Sequence, residues 1–190
     1  GNIASVPKGT QTITFNPLAA SVYGATPITL TATSSSALTV TYTSSNTAVA
    51  TVSGSTITVL TAGTTTITAS QAGSSALLAA TPVTQDLVVN KKDIAVAAVV
   101  KTKVYGEADP ALTYTFSPAL MGTDVFTGNL DRATGENIGS YAIGQGTLAL
   151  NANYNLAFTS ANLSITAKPV TVTAVAKTKV YGIADPALTY

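Results

Sequence analysis

The chain has 190 residues, 46% of them apolar and only 9% charged, with a net charge of +1. It contains no Cys, His or Trp. That excludes a disulfide framework, a Cys/His zinc site, a Ser-His-Asp triad, a Cys nucleophile and a His general base. A near-neutral chain has no basic field to hold a phosphate backbone, so nucleic acid is not an expected partner.

Period-two alternation of apolar and hydroxyl residues runs through the chain and predicts strands. In the first half these are Thr12-Ile13-Thr14-Phe15, Ile28-Thr29-Leu30-Thr31, Val40-Thr41-Tyr42-Thr43, Ile57-Thr58-Val59, Thr64-Thr65-Thr66-Ile67-Thr68-Ala69 and residues 83–89. Ser53-Gly54-Ser55 reads as a hairpin turn. In the second half strands are expected at 94–100, 112–116, 124–127, 140–143, 147–150, 155–158 and 162–166. No segment carries a helical stripe. About seven short strands per unit point to an all-β protein of tandem immunoglobulin-like β-sandwiches. The longest apolar run, 94–100, is far short of the roughly 18 residues of a membrane span, so membrane insertion is not expected. Gly1-Asn2-Ile3-Ala4-Ser5 lacks the basic start and apolar core of a secretory signal, so any signal is expected outside this stretch.

An internal repeat sets the organisation. Lys101-Thr102-Lys103-Val104-Tyr105-Gly106-Glu107-Ala108-Asp109-Pro110-Ala111-Leu112-Thr113-Tyr114 returns at residues 177–190 with one change, Glu107 to Ile183, a period of 76 residues. Ser21-Val22-Tyr23-Gly24-Ala25-Thr26-Pro27 is a fainter relative. The expected units are residues 7–90, 91–167 and a truncated start of the next repeat at 168–190, with 1–6 the end of a preceding unit or a linker. The strands of 168–190 cannot bury an apolar face alone and are expected either frayed or docked on a partner. The joints, Asn90-Lys91-Lys92-Asp93 and Ala167-Lys168-Pro169, are too short to act as coils, which predicts a stiff rod within a longer array. No charged residue lies between Lys8 and Asp86, which leaves hydration of the first unit to Thr and Ser hydroxyls.

Thr43-Ser44-Ser45-Asn46-Thr47-Ala48-Val49-Ala50-Thr51-Val52, with Thr56-Ile57-Thr58-Val59 and Ala62-Gly63-Thr64-Thr65-Thr66-Ile67-Thr68-Ala69, resembles a bacterial immunoglobulin-like domain of group 2. The second unit resembles the MBG repeat of bacterial adhesins, through Val104-Tyr105-Gly106, Asp109-Pro110, Ile138-Gly139-Ser140-Tyr141-Ala142-Ile143, Asn153-Tyr154-Asn155 and Leu163-Ser164-Ile165-Thr166. The resemblance implies a large, secreted, extracellular surface adhesin of the Bacteroidota kind, exported by type 9 secretion and in some cases serving gliding motility. It implies neighbouring repeats, surface polysaccharide and the envelope's secretion or anchoring machinery as partners. It carries over no catalytic, cofactor-binding or metal residue, and no cofactor is expected. The alternative function is a glycan-binding module, in the adhesin itself or accessory to a secreted polysaccharide-degrading enzyme.

Glu107 and Asp109 beside Tyr105 read either as a carboxylate pair, for calcium or glycoside chemistry, or as a turn. The chain favours the turn, because its first copy has Ala25-Thr26-Pro27 there and its third has Ile183. In that reading Tyr105, Gly106, Asp109 and Pro110 recur as Tyr181, Gly182, Asp185 and Pro186, with Gly supplying a positive φ. Tyr23, Tyr105 and Tyr181 are expected at the core rim with hydrogen-bonded hydroxyls. Asp131, Arg132 and Glu136 form the other charge cluster, in the Gly-rich stretch 128–139. It is the candidate ligand loop against a solvated loop as the plain alternative. Tyr141 and Tyr154 are candidates for sugar stacking. Every Lys is expected at a unit edge, away from the buried Lys, Asn and acid that an isopeptide cross-link needs.

Overall fold

The computed structural model describes residues 7–190; the assignment made for residues 1–6 lies outside them. The described chain is all-β, of the β-sandwich type with several curled sheets. Its first strands are β1 (Ile13–Thr14), β2 (Ser21–Val22), β3 (Ile28–Thr29), β4 (Thr33–Ser34), β5 (Thr41–Ser44), β6 (Ala50–Ser53), β7 (Thr56–Val59), β8 (Gly63–Ser70) and β9 (Val83–Asn90). They form sheets in the orders β2-β9-β8-β5, β3-β7-β6 and β1-β4. After Lys91 come β10 (Lys92–Ala98), β11 (Lys101–Val104), β12 (Tyr114–Ser117), β13 (Asp131–Arg132), β14 (Gly139–Gly144), β15 (Tyr154–Thr159) and β16 (Ala161–Thr166). These form β12-β10-β15 and β11-β16-β14-β13.

The alternation in sequence becomes alternation in burial. Along β8, Thr65, Ile67 and Ala69 point inward, and along β16, Leu163 and Ile165 do. The first core gathers Ile13, Phe15, Leu30, Ile57, Ile67, Leu87 and Val89. The second has Ile94, Val96, Leu148 and Tyr154 at its centre. Thr65 is buried without penalty because its Oγ1 accepts from the Asn46 N–H at 3.0 Å and lies 2.8 Å from Ser44 Oγ. Ser53 and Thr56 close a β6–β7 hairpin over Gly54, whose φ is +58°.

One pairing spans each group of strands from end to end. β10 and β11 together run parallel to β15 and β16, from Lys92↔Tyr154 to Val104↔Thr166 at a constant 62-residue offset. Both partners change sheet between 98 and 101 and at Ser160, without losing register. In the first group the offset is 68 throughout, from the Gly9↔Leu77 bridge to Val22↔Asn90.

Two expected strands are absent. Residues 124–127 and 147–150 share only the Thr127↔Ala149 bridge. Gly128 (φ +74°) and Gly146 (φ +56°) turn the chain on either side, and at Gly128 the backbone passes so close that a Cβ would stand 2.1 Å from the Thr147 carbonyl oxygen. β11 and β13 were missed because they carry Lys103 and Arg132 where a strand pattern calls for apolar residues. Residues 168–190 form no strand, and each of them is exposed.

Leu163 and Ile67 are fully buried. Replacing either with Ala is expected to lower the unfolding free energy by about 2–5 kcal/mol. Val172→Ala, at an exposed site, is expected to change it by no more than about 0.5 kcal/mol. Urea unfolding of the three variants checks this.

Candidate functional site

The Tyr-Gly turn forms three times with one geometry. Ala25 N–H donates to the Val22 carbonyl at 2.9 Å, Glu107 to Val104 at 3.0 Å and Ile183 to Val180 at 3.2 Å. The glycines at the third position have φ of +83°, +86° and +85°, the left-handed value that a type II turn demands and that Gly adopts without strain. The residue after the opening strand is also held alike. Tyr23 N–H donates to the Asn90 carbonyl at 2.9 Å, and Tyr105 N–H to that of Thr166 at 2.8 Å.

Behind the second turn sits a closed network of four charges. Lys103, its side chain 4% exposed, donates to Asp109 Oδ1 at 2.6 Å and to Glu136 Oε2 at 2.5 Å. Arg132 Nε donates to Asp109 Oδ2 at 2.6 Å, and its Nη2 to Glu136 Oε1. Arg132 Nη1 donates to the carbonyls of Ala133 and Gly135 at 2.9 and 2.7 Å. Its guanidinium lies over the Tyr141 ring, 5.5 Å from the centroid. The Arg132 hydrogen bond, then that of Lys103, pulls the Asp109 carboxyl down to about 2. Glu136 is lowered by Lys103 and then Arg132, and both cations are raised by the same carboxylates.

A second polar cluster lies where the two groups of strands meet. Asp124 Oδ2 accepts from the Tyr154 hydroxyl at 2.7 Å and from the Tyr23 hydroxyl at 2.9 Å, while its Oδ1 accepts from Asn151 Nδ2 at 2.7 Å. The rings of Tyr23 and Tyr154 meet edge to face, 5.4 Å between centroids. Met121 N–H donates to the Tyr154 hydroxyl at 2.8 Å. The Met121 side chain lies against Gly24, where a Cβ would stand 2.5 Å from the sulfur. Asn153 completes the contact: its Oδ1 accepts from Ala62 N–H and its backbone carbonyl from Lys92 N–H, both at 2.9 Å. Burial pushes the Tyr154 hydroxyl up to about 12 and raises that of Tyr23. The Tyr154 hydrogen bond, first among its donors, lowers Asp124.

Residues 94–164 match the MBG domain family (YGX type). No curated protein matches the chain. The matched span contains the Tyr105-Gly106-Glu107 turn, the four-charge network, Asp124 and Tyr154.

Within the matched span the predicted site residues divide. Arg132 and Glu136 join Asp109, with Lys103 as a fourth member that sequence reasoning missed. Asp131 stays exposed on the other face of β13, paired across the ladder with Gly144. Lys103 is buried, contrary to the expectation that every Lys lies at a unit edge. Its partners are Asp109 and Glu136, with no Asn among the described residues of the network. Of the three turn tyrosines, Tyr23 has the expected hydrogen-bonded hydroxyl, but Tyr105 is 48% exposed and Tyr181 wholly so. Of the two candidates for stacking, Tyr154 is buried and Tyr141 has one ring face taken by Arg132. The joint through Asp124 was not foreseen. The signal that pointed to it was the recurrence of Tyr at a turn, where a polar tip on an apolar ring needs a partner.

Asp109 and Glu136 bind protons less readily folded than unfolded, where their values are near 3.8 and 4.5. The network therefore stabilises the domain fully above that range and loses its contribution as pH falls toward 2. Lys103 acts in the opposite sense. Its contribution is complete below the ordinary 10.5 and is lost as pH rises through its raised value. The double variant Asp109→Asn/Glu136→Gln is expected to be less stable than the parent at neutral pH and to lose less further stability on acidification from about pH 5 to pH 2. Equal acid losses in urea titrations of the two proteins would contradict this assignment.

Proposed function

We propose that this chain is a structural segment of a long secreted fibre on a bacterial surface, serving adhesion. In this reading residues 7–90 are an immunoglobulin-like domain of group 2, residues 91–167 an MBG-type repeat, and residues 168–190 the start of the next. The fibre is extracellular, tied to the envelope by its secretion or anchoring machinery. Export by type 9 secretion and a part in gliding are extensions of the same reading. The MBG match and the 76-residue repeat support a repeat module.

One observation carries the mechanical part: the parallel ribbon at constant offset. The chain enters the unit at Lys92, the foot of one strand, and leaves at Thr166, the head of its parallel neighbour. Tension along the array pulls these two strands past each other. The ladder is then loaded in shear, with its hydrogen bonds strained together rather than broken in turn. Arg132 and Glu136 spend their charge on Lys103 and Asp109, which favours a stalk over a lectin.

Pulling on single molecules tests the reading. Handles before Lys92 and after Ala167 are expected to require more force to unfold the domain than handles at Ile138 and Ala167. The latter sit at one end of the antiparallel β14–β16 pair, where Gly139 faces Ile165, and unzip it bond by bond. Equal forces would remove the mechanical argument. On a panel of glycans the 190-residue chain is expected to show no saturable binding that Asp131→Ala abolishes. Such binding would restore the ligand loop.

A further inference from the structure

The contact around Asp124 has two halves, and the half offered by the first unit recurs on a surface that no described residue covers. On the first unit the contact uses Tyr23, Gly24 and Ala62, with the Asn90 carbonyl holding the Tyr23 N–H. The strand registers say which residues of the second unit stand in the same places. Ser21↔Val89 and Val22↔Asn90 correspond to Lys103↔Ile165 and Val104↔Thr166. Gly63↔Val89 corresponds to Gly139↔Ile165. The counterparts of Tyr23, Gly24, Ala62 and Asn90 are therefore Tyr105, Gly106, Ile138 and Thr166. The turn dihedrals agree as well, +83° at Gly24 and +86° at Gly106.

What differs is coverage. Tyr23 is half-buried against Tyr154 and Asp124, whereas Tyr105 is 48% exposed and Ile138 63%. A Cβ on Gly24 would strike Met121; one on Gly106 would meet no described residue within 4 Å. An exposed Tyr and an exposed Ile at the ends of the two strands that flank β16, with a glycine open to close approach, have the shape of the docking half of the joint described above.

We propose that the Tyr105-Gly106-Ile138 end of this domain is a docking face for a further copy of the 92–167 unit in the same chain. That copy would present its own equivalents of Met121, Asp124, Asn153 and Tyr154, as the second unit presents them to the first. The continuity of the strands supports this occupant. β9 passes into β10 across the single residue Lys91, and Lys92 N–H binds Asn153, one residue from Tyr154. β16 runs out in the same way through Ala167 to Lys168, the repeat counterpart of Lys92. Residues 168–190 carry the opening of that copy but none of the four docking residues, whose places fall 76 positions beyond Met121, Asp124, Asn153 and Tyr154. The proposal concerns the repeat itself and holds wherever in or on the cell the array resides.

Two measurements test it, both by hydroxyl-radical footprinting read residue by residue. In the 190-residue chain, Tyr23 is expected to be modified several-fold more slowly than Tyr105, and Asp124→Asn is expected to narrow that gap. Equal rates at Tyr23 and Tyr105 in the parent overturn the proposal, because the template joint would then not hold in solution. In the chain extended after Tyr190 by a copy of residues 115–167, which completes the third unit, modification of Tyr105 and Ile138 is expected to fall several-fold, Tyr105 to the level of Tyr23. Asn at the copied Asp124 position is expected to reverse part of that protection. An extended chain in which Tyr105 and Ile138 stay as reactive as before overturns the proposal.

Discussion

The parallel ribbon between the opening and closing strands of each unit is the constraint on which the rest depends. Parallel strands need a long crossover, and here the whole remainder of the unit is that crossover. The pairing holds one offset while both partners move from one sheet to the other, so it fixes the two sheets against each other and closes the core between them. It also decides what lies at the ends. The opening strand stops beside the last residues of the closing strand, and its Tyr-Gly turn is therefore delivered to the place where the chain leaves. Tyr23 reaches the next unit for that reason.

At the joint a carboxylate is held by neutral donors. Among the described residues no cation lies within salt-bridge distance of Asp124, which instead accepts from two tyrosines and an asparagine. Hydrogen bonds to a charged acceptor are worth about 1.5–3 kcal/mol each when the geometry is good. Exposure of part of the site lowers that toward the bottom of the range. Short-range bonds of this kind are little affected by salt, unlike ion pairs between surface side chains. The first unit has almost no charge to offer, so a hydroxyl is the group with which it can grip its neighbour. Tyr supplies it together with an apolar ring that packs against Tyr154.

The sequence made the class of fold legible because alternation in Thr-rich segments translates directly into burial, as along β8. It made the Tyr-Gly turn legible because a positive φ is a local demand that glycine answers. It did not reveal Lys103 as buried, since an inward Lys breaks the alternation that defines a strand. Nor did it reveal Asp124, whose partner Tyr23 lies 101 residues away. Both failures have one cause: a polar group placed inside by distant partners leaves no periodic trace. Arg132 and Glu136 were found as charges and read as a loop for a ligand, because the groups that occupy them come from another strand and another turn.

The third copy separates what the turn does alone from what the domain adds. Lys179 and Asp185 form the same ion pair as Lys103 and Asp109, six residues apart in each case. In the third copy the lysine side chain is 47% exposed and the aspartate 83%; in the second they are 4% and 40%. The pairing is therefore local to the turn, and the burial is imposed by the sheet that closes over it. Burial raises the demand on partners, because a desolvated ammonium with one acceptor is poorly compensated. Glu136 meets that demand by adding a second acceptor, and Arg132 returns the cluster to neutrality while tying Asp109 to Glu136. Each charge added by the loop thus answers a cost that the sheet creates, which is why the loop is spoken for in the folded domain.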